Sequence, residues 1–189
     1  MKLFVLLPRV PYPTEKGDKL RAFNHIRQLS KHHEIILCAL NDSVLHDQAL
    51  PVLSKYTKAV YIIPISKFTV LMNLIRSVFT SNPLQVGYFY NKSTAVKIKK
   101  IIEKHQPDHI FCQLIRVAEY VKDLPIPKTL DYQDVFSKGV ERRLANAPSY
   151  IKPFLKLEHK RLLAYEHDIF SCVVNKIIIC SRDRAGRPL

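Results

Sequence analysis

The sequence predicts an α/β fold, a Rossmann-like doubly wound parallel sheet, on three observations. Residues 1–40 read as strand, loop, helix and strand without interruption. Strand-like and helix-like segments keep alternating along the rest of the chain, the order that gives a parallel sheet with helices on both faces. The strand segments are continuous apolar runs, as burial on both faces requires.

In the opening unit, residues 3–7 form the first apolar run, and Pro8, Pro11 and Pro13 end it and hold the following residues extended. Gly17 tolerates positive φ, so a tight turn is expected there, and Asp18 is the expected N-cap of a helix carrying Leu20, Phe23, Ile26 and Leu29. Residues 34–40 form the second strand, and a right-handed crossover sets the intervening loop at the carboxyl edge of the first. Further on, 44–55 reads as helix, 59–64 as strand and 67–79 as helix. The aromatic stretch 83–90 reads as an irregular loop or short extended piece. Residues 95–105 are a basic amphipathic helix, 109–112 a strand and 117–122 a short helix. A strand at 129–131 follows Pro125 and Pro127, then helices at 136–145 and 151–170 and a last strand at 177–180. One domain is expected over 1–180, followed by a polar tail, 181–189.

Composition narrows the function. The chain has 189 residues and a hydrophobic content of 47%, enough for one proper core and too apolar for disorder. No run reaches the roughly 18 apolar residues of a membrane span, and the N-terminal run is too short for a secretory leader. A cytoplasmic location is the expectation. Cys38, Cys112, Cys172 and Cys180 make no CxxC pair, so buried thiols are expected rather than a metal ribbon or redox dithiol. The net charge of +14 favours anionic partners. Nucleic acid is unlike this chain, which carries no zinc-finger spacing or RNP motif.

Chemistry in such a sheet sits on loops after strands, and three are informative. The segment 9–18 holds Arg9, Lys16, Gly17 and Asp18, which either merely shape a turn or present a helix N-terminus and a cation to a phosphate. The second, 113–116, holds Gln113 and Arg116; the third is Asp131-Tyr132-Gln133-Asp134. There the carboxylates serve chemistry, or Asp134 or Ser137 caps the next helix, or Asp131 pairs with an arginine. No HExxH, GxSxG, GxGxxG or P-loop pattern occurs. The helix at 67–79, flanked by Lys67 and Arg76, reads as a core helix or as one that partly enters a bilayer surface. The basic helices at 95–105 and 151–170 are solvated faces or part of a surface for anionic lipid.

Together these residues resemble the N-terminal half of a GT-B-fold glycosyltransferase of the retaining family 4, closest to the PEP-CTERM-associated bacterial sugar transferases. The opening is similar to the pattern PYP-x-x-KGDK-[LI]-R, here Pro11-Tyr12-Pro13 and Lys16-Gly17-Asp18-Lys19-Leu20-Arg21. Leu130 to Ser137 resembles LD-x-x-DV-x-S, and Leu162 to Asp168 (LLAYEHD) resembles the long helix before the domain crossover.

The resemblance implies an acceptor-side Rossmann-like domain that faces a donor domain across a cleft. Lys16, Gly17, Asp18 and Arg21 would then contact the diphosphate of a nucleotide-sugar co-substrate. Asp131 and Asp134 would be the catalytic candidates, and Arg9, Gln113, Arg116 and Tyr132 would bind the acceptor. Many relatives have a His on the loop where this chain has Asp131 and Asp134. No metal or further cofactor is implied. The family's E-x-7-E donor domain does not follow the last strand, so the resemblance implies a truncated enzyme of surface polysaccharide or glycoconjugate assembly, inactive without its donor half. A lipid-linked or glycan acceptor and a peripheral position on the inner face of the cell membrane fit the same reading. The alternative is a non-catalytic α/β module for a phosphorylated ligand or an anionic membrane surface.

Overall fold

The computed structural model describes residues 1–78, 80–133 and 135–178. Six parallel strands form one sheet: β1 (Lys2–Leu7), β2 (Glu34–Asn41), β3 (Ala59–Pro64), β4 (His109–Gln113), β5 (Lys128–Gln133) and β6 (Asn175–Ile178). Their order is β3-β2-β1-β4-β5-β6. The chain winds outward from β1 to β3, crosses back over β1, and winds the other way. This is the doubly wound order, with its switch point between β1 and β4.

Two apolar layers sandwich the sheet because successive side chains of each strand point to opposite faces. Leu3, Val5, Leu7, Leu37, Ala39 and Phe111 face α1 (Gly17–Leu29) and α2 (Ala49–Leu53). Phe4, Leu6, Ile36, Cys38, Ile110, Cys112 and Leu130 point the other way, into the larger core. That core is closed by α3 (Lys67–Val78), α4 (Leu84–Phe89), α5 (Lys92–His105), a 3-10 helix (Ile115–Tyr120), α6 (Phe136–Ala145) and α7 (Lys152–Cys172). Burial pushes the Cys38 thiol up to about 12, so it behaves as a small apolar group. Cys112 is shifted the same way, whereas Cys172 is exposed. No helix among the described residues is long and apolar enough to cross a membrane.

Several expected elements differ. Only 49–53 of the helix expected at 44–55 forms. Val44 is 97% exposed and has nothing to bury against, while Asn41 and Ser43 bond each other locally and compete with helix formation. Residues 84–89 are helical, not a loop. The backbone N–H of Leu84 at this helix start donates to Glu158 Oε1 at 2.8 Å, a cap supplied from far along the chain. The N-cap of α1 is Lys16 without a side-chain bond, and Asp18 lies inside the first turn. No described glycine has positive φ, so Gly17 is not at a left-handed turn. The strand expected to end at Asp131 runs on to Gln133. Cys180 and the tail 181–189 lie outside the described residues.

Gly87 is where backbone shape matters most. A Cβ there would sit 1.7 Å from Ser77 Oγ and 2.7 Å from Ser77 Cβ, so α4 can cross α3 only without one. Gly87→Ala should cost about 1–3 kcal/mol by overpacking. Gly17→Ala, where nothing lies within 4 Å, should stay within roughly 0.5 kcal/mol of the wild type. Urea denaturation of the two variants checks the contrast.

Candidate functional site

The carboxyl ends of β1 and β4 flank the switch point, where ligands of open α/β sheets bind. Gln113, the last residue of β4, donates from Nε2 to the Asp18 carbonyl at 3.0 Å, tying the strand end to the first turn of α1. The Asp18 carboxylate faces Arg9, with Nη1 to Oδ2 at 3.6 Å. Lys16 and Gly17 stay exposed at the start of the helix. Two non-glycine residues with positive φ, Leu114 (63°) and Gln133 (50°), sit at the ends of β4 and β5. Such backbone costs on the order of 1–3 kcal/mol each and clusters at ligand-binding edges.

A buried ion pair fixes the angle of α1. Arg21 donates from Nε to Asp131 Oδ2 at 2.8 Å and from Nη2 to Oδ1 at 2.9 Å, a bidentate fork. Asp131 is 0% exposed and Arg21 26%. His25, one turn further along α1, brings Nδ1 to 3.6 Å from Asp131 Oδ2 and packs edge-on against Phe111. Burial holds the His25 imidazole below its ordinary value, against the pull of Asp131 and with some help from Arg21.

These contacts correct the placement of several expected site residues. Asp131 is inside β5 with both carboxylate oxygens engaged, not on a loop. Arg21 is the other half of that pair, so its guanidinium is directed to Asp131 rather than to an external diphosphate. Tyr132 is fully buried and its ring meets Phe170 at 5.3 Å, on the core side of the sheet. Asp134 lies outside the described residues. Ser137 does not cap α6 with its own side chain. Its N–H and Oγ donate to the two oxygens of Glu166, at 3.1 and 2.6 Å, so α7 closes the start of α6.

Beside the start of α1 lies a cleft of about 420 Å³ that contains Arg9, Arg116 and Arg143. Arg116 follows β4 and is stacked on two rings, 5.6 Å from Phe89 and 4.9 Å from Phe136, while Nη2 donates to Gln85 Oε1 at 3.3 Å. Tyr88 lines the same wall and donates to Asp42 Oδ2 at 3.2 Å. The arrangement brings together Arg9 and Arg116, both expected from sequence, and adds Arg143, Gln85 and Tyr88. Arg143 sits in the last turn of α6, where a basic residue suits the helix dipole, so its spacing carried no separate signal. Chemically the edge offers cations and helix N–H groups, while its buried carboxylate is already paired.

Arg21→Ala should cost about 3–5 kcal/mol, because it leaves the Asp131 carboxylate buried without its bidentate partner and with only His25 nearby, at 3.6 Å. Asp131→Ala should cost less, since Arg21 retains access to water. Denaturant titration of both single variants and the double variant measures the coupling. For His25 the folded value lies below the unfolded value of about 6.5, so the unfolded chain binds the proton first. Stability should therefore fall as pH drops below about 6.5, and His25→Gln should flatten part of that fall in thermal melts between neutral and acid pH. His105 and His109, whose imidazoles burial also shifts down, retain part of the remainder.

No protein-family model matches the sequence, and no curated protein matches it. A solved structure of Phytolacca americana UGT2 complexed with UDP-2fluoro-glucose and pterostilbene is similar in fold, with a TM-score of 0.50 and 10% sequence identity. The match covers 97% of this chain and 49% of that one, so the chain spans about half the length of the structure it resembles. At that identity the likeness is one of architecture: the parallel sheet and its flanking helices form a Rossmann-like domain of the same fold.

Proposed function

We propose that this chain is the acceptor-side domain of a nucleotide-sugar-dependent, retaining glycosyltransferase of surface polysaccharide or glycoconjugate assembly. One observation carries the reading: the start of α1, without a side-chain cap, opens beside an arginine-lined cleft at the switch point of the sheet. The starts of α4, α5 and α6 are each closed by a side chain, from Glu158, Asn91 and Glu166. The first turn of α1 keeps N–H groups and a partial positive charge for an external anion. In this reading Lys16 and Gly17 meet the donor diphosphate, with the Asp18 carboxylate turned aside toward Arg9. Arg21, Gln113 and Asp131 are positioning residues, and the cleft takes the acceptor. Rate enhancement would come from alignment and from stabilising the departing diphosphate.

The fold likeness supports a two-domain enzyme of which this is one half, the facing half holding the nucleotide. One exposed helix terminus contributes only about 0.3–1 kcal/mol, whereas a millimolar Kd needs about 4 kcal/mol. The chain by itself should hold UDP-glucose only at millimolar levels or weaker, with amide shifts confined to residues 16–20 in an NMR titration. Gly17→Val should abolish those shifts without unfolding the domain, because no atom of the protein lies within 4 Å of the added Cβ. Tight binding of UDP-glucose elsewhere, or sugar transfer by this chain alone, would count against the division of roles.

The same reading sets the domain against an anionic bilayer. Phe68 of α3 is 73% exposed, Leu71 and Ile75 share its exposure, and Phe154 and Leu157 of α7 are exposed too. The two helices are tied together where Arg161 Nη1 donates to the Ser77 carbonyl at 3.1 Å. With a net charge of +14 the surface suits acidic headgroups, each basic residue near them contributing about 1 kcal/mol. Co-sedimentation with phosphatidylserine-containing vesicles should exceed that with neutral vesicles and weaken with salt. Phe68→Asp should reduce it, and equal recovery with both vesicle types would contradict it.

A further inference from the structure

Resting on the bilayer reading above, we infer that the cavity between the end of α3, α4 and the start of α5 takes the phosphate of an anionic lipid headgroup. The chain has no Asp or Glu between Asp47 and Glu103, a stretch that builds all of α3 and α4 and most of α5 and carries eight Lys and Arg residues. The cavity holds about 450 Å³. Gly87 and the buried Asn73 and Ser77 lie in its wall, and Arg76 and Lys92 are exposed at its mouth. It is separate from the arginine-lined cleft: Leu74, Gln85 and Tyr88 face that cleft, while Asn73, Gly87 and Tyr90 face this cavity.

The hydrogen bonds of the wall decide what the cavity accepts. Its acceptors are used within the protein. Asn91 Oδ1 accepts from the Ser93 N–H at 2.8 Å, the Ser93 hydroxyl at 2.6 Å and the Thr94 N–H at 3.3 Å, which caps α5. The Tyr90 carbonyl accepts from Asn73 Nδ2 at 2.6 Å, and the Asn73 carbonyl from Ser77 Oγ at 2.8 Å. The acid that reaches this region from α7, Glu158, accepts from the Leu84 N–H. Donors are what remain: the amide nitrogens of Asn82 and Asn91, the Arg76 guanidinium and the Lys92 ammonium bond to no described residue. A phosphate offers several acceptor oxygens, a planar edge to Arg76 and a point charge to Lys92. Arg76 lies one turn from Met72 and beside Ile75, so the mouth adjoins the exposed apolar stripe of Phe68, Leu71, Met72 and Ile75 on α3. A helix lying in the interface buries such a stripe at the acyl boundary, which sets the cavity at the depth of the headgroups.

The test is an NMR titration at constant ionic strength, with lipid below its micelle concentration, that follows the side-chain amides of Asn82 and Asn91 and the backbone of 73–77 and 82–93. The probes are dihexanoyl phosphatidic acid, glycerol 3-phosphate as the same phosphate without chains, and dihexanoyl phosphatidylcholine as the zwitterionic control. Phosphatidic acid should shift these signals saturably and bind more tightly than glycerol 3-phosphate, and phosphatidylcholine should not saturate. Arg76→Gln and Lys92→Gln should each weaken binding about tenfold, as loss of a charge-assisted bond does. Both side chains are exposed, so the variants keep the fold. Absent or unsaturable shifts, equal binding of phosphatidylcholine, or full affinity in the double variant would overturn the inference. Glycerol 3-phosphate binding as tightly as phosphatidic acid would overturn the assignment to a lipid. Co-sedimentation of the same protein with phosphatidylserine-containing vesicles separates the two levels. Vesicle binding without shifts at these positions would remove the headgroup site and leave the bilayer reading standing. Saturable phosphatidic acid shifts in a chain that acidic vesicles do not capture would keep the phosphate site and overturn the bilayer reading.

Discussion

A buried carboxylate must find a cation, and in this domain the consequence runs through the whole carboxyl edge. Asp131 lies on β5 with no exposure, and Arg21, from the helix after β1, reaches past β4 to pair with it. An isolated charge in that position would cost several kcal/mol, so α1 cannot tilt or slide without losing its fork. The pair therefore spans the switch point and locks the two outward-winding halves of the sheet to one another. Gln113 adds a second tie, from β4 to the first turn of α1. A well-packed apolar pair could be as stable. What the charged pair adds is a defined angle for the helix whose open start faces the ligand edge.

From that constraint the rest of the site follows. The held helix presents Lys16 and Gly17 outward, and Arg9 joins it to the neighbouring cleft through Asp18. Around it the starts of α4, α5 and α6 are closed by side chains, two of them by carboxylates of α7, Glu158 and Glu166. The long helix thus does more than cover the sheet: it consumes the competing N–H donors of α4 and α6. Positive charge is left concentrated where the sheet topology directs a ligand. The helix start and the arginine-lined cleft are adjacent but distinct, and in the proposed reading they serve the two substrates of a group transfer.

Much of the fold was legible in the sequence because strands buried on both faces must be apolar throughout. The runs at residues 3–7, 34–40 and 109–112 carry that pattern, the half-buried edge strand at 59–64 is β-branched and apolar as well, and the alternation with helices pointed to one topology class. The misread segments share another cause. Residues 84–89 are too short to show helical periodicity, and their cap is a side chain more than seventy positions away. Asp131 and Gln133 look like loop residues until Arg21 and the ladder to β6 make their burial tolerable. An ion pair with an arginine was among the readings of Asp131, but a local sequence pattern could not name Arg21. Arg143 was invisible for the same reason, since only the packing of α6 brings it to Arg9 and Arg116.

The central claim, that the Arg21–Asp131 pair holds the start of α1 at the ligand edge, is tested most directly by amide hydrogen exchange in Asp131→Asn. The account predicts that exchange quickens first and most in residues 17–29, while β1, β2 and β4 remain protected. Exchange that is unchanged in α1, or that quickens evenly across the sheet, would contradict it.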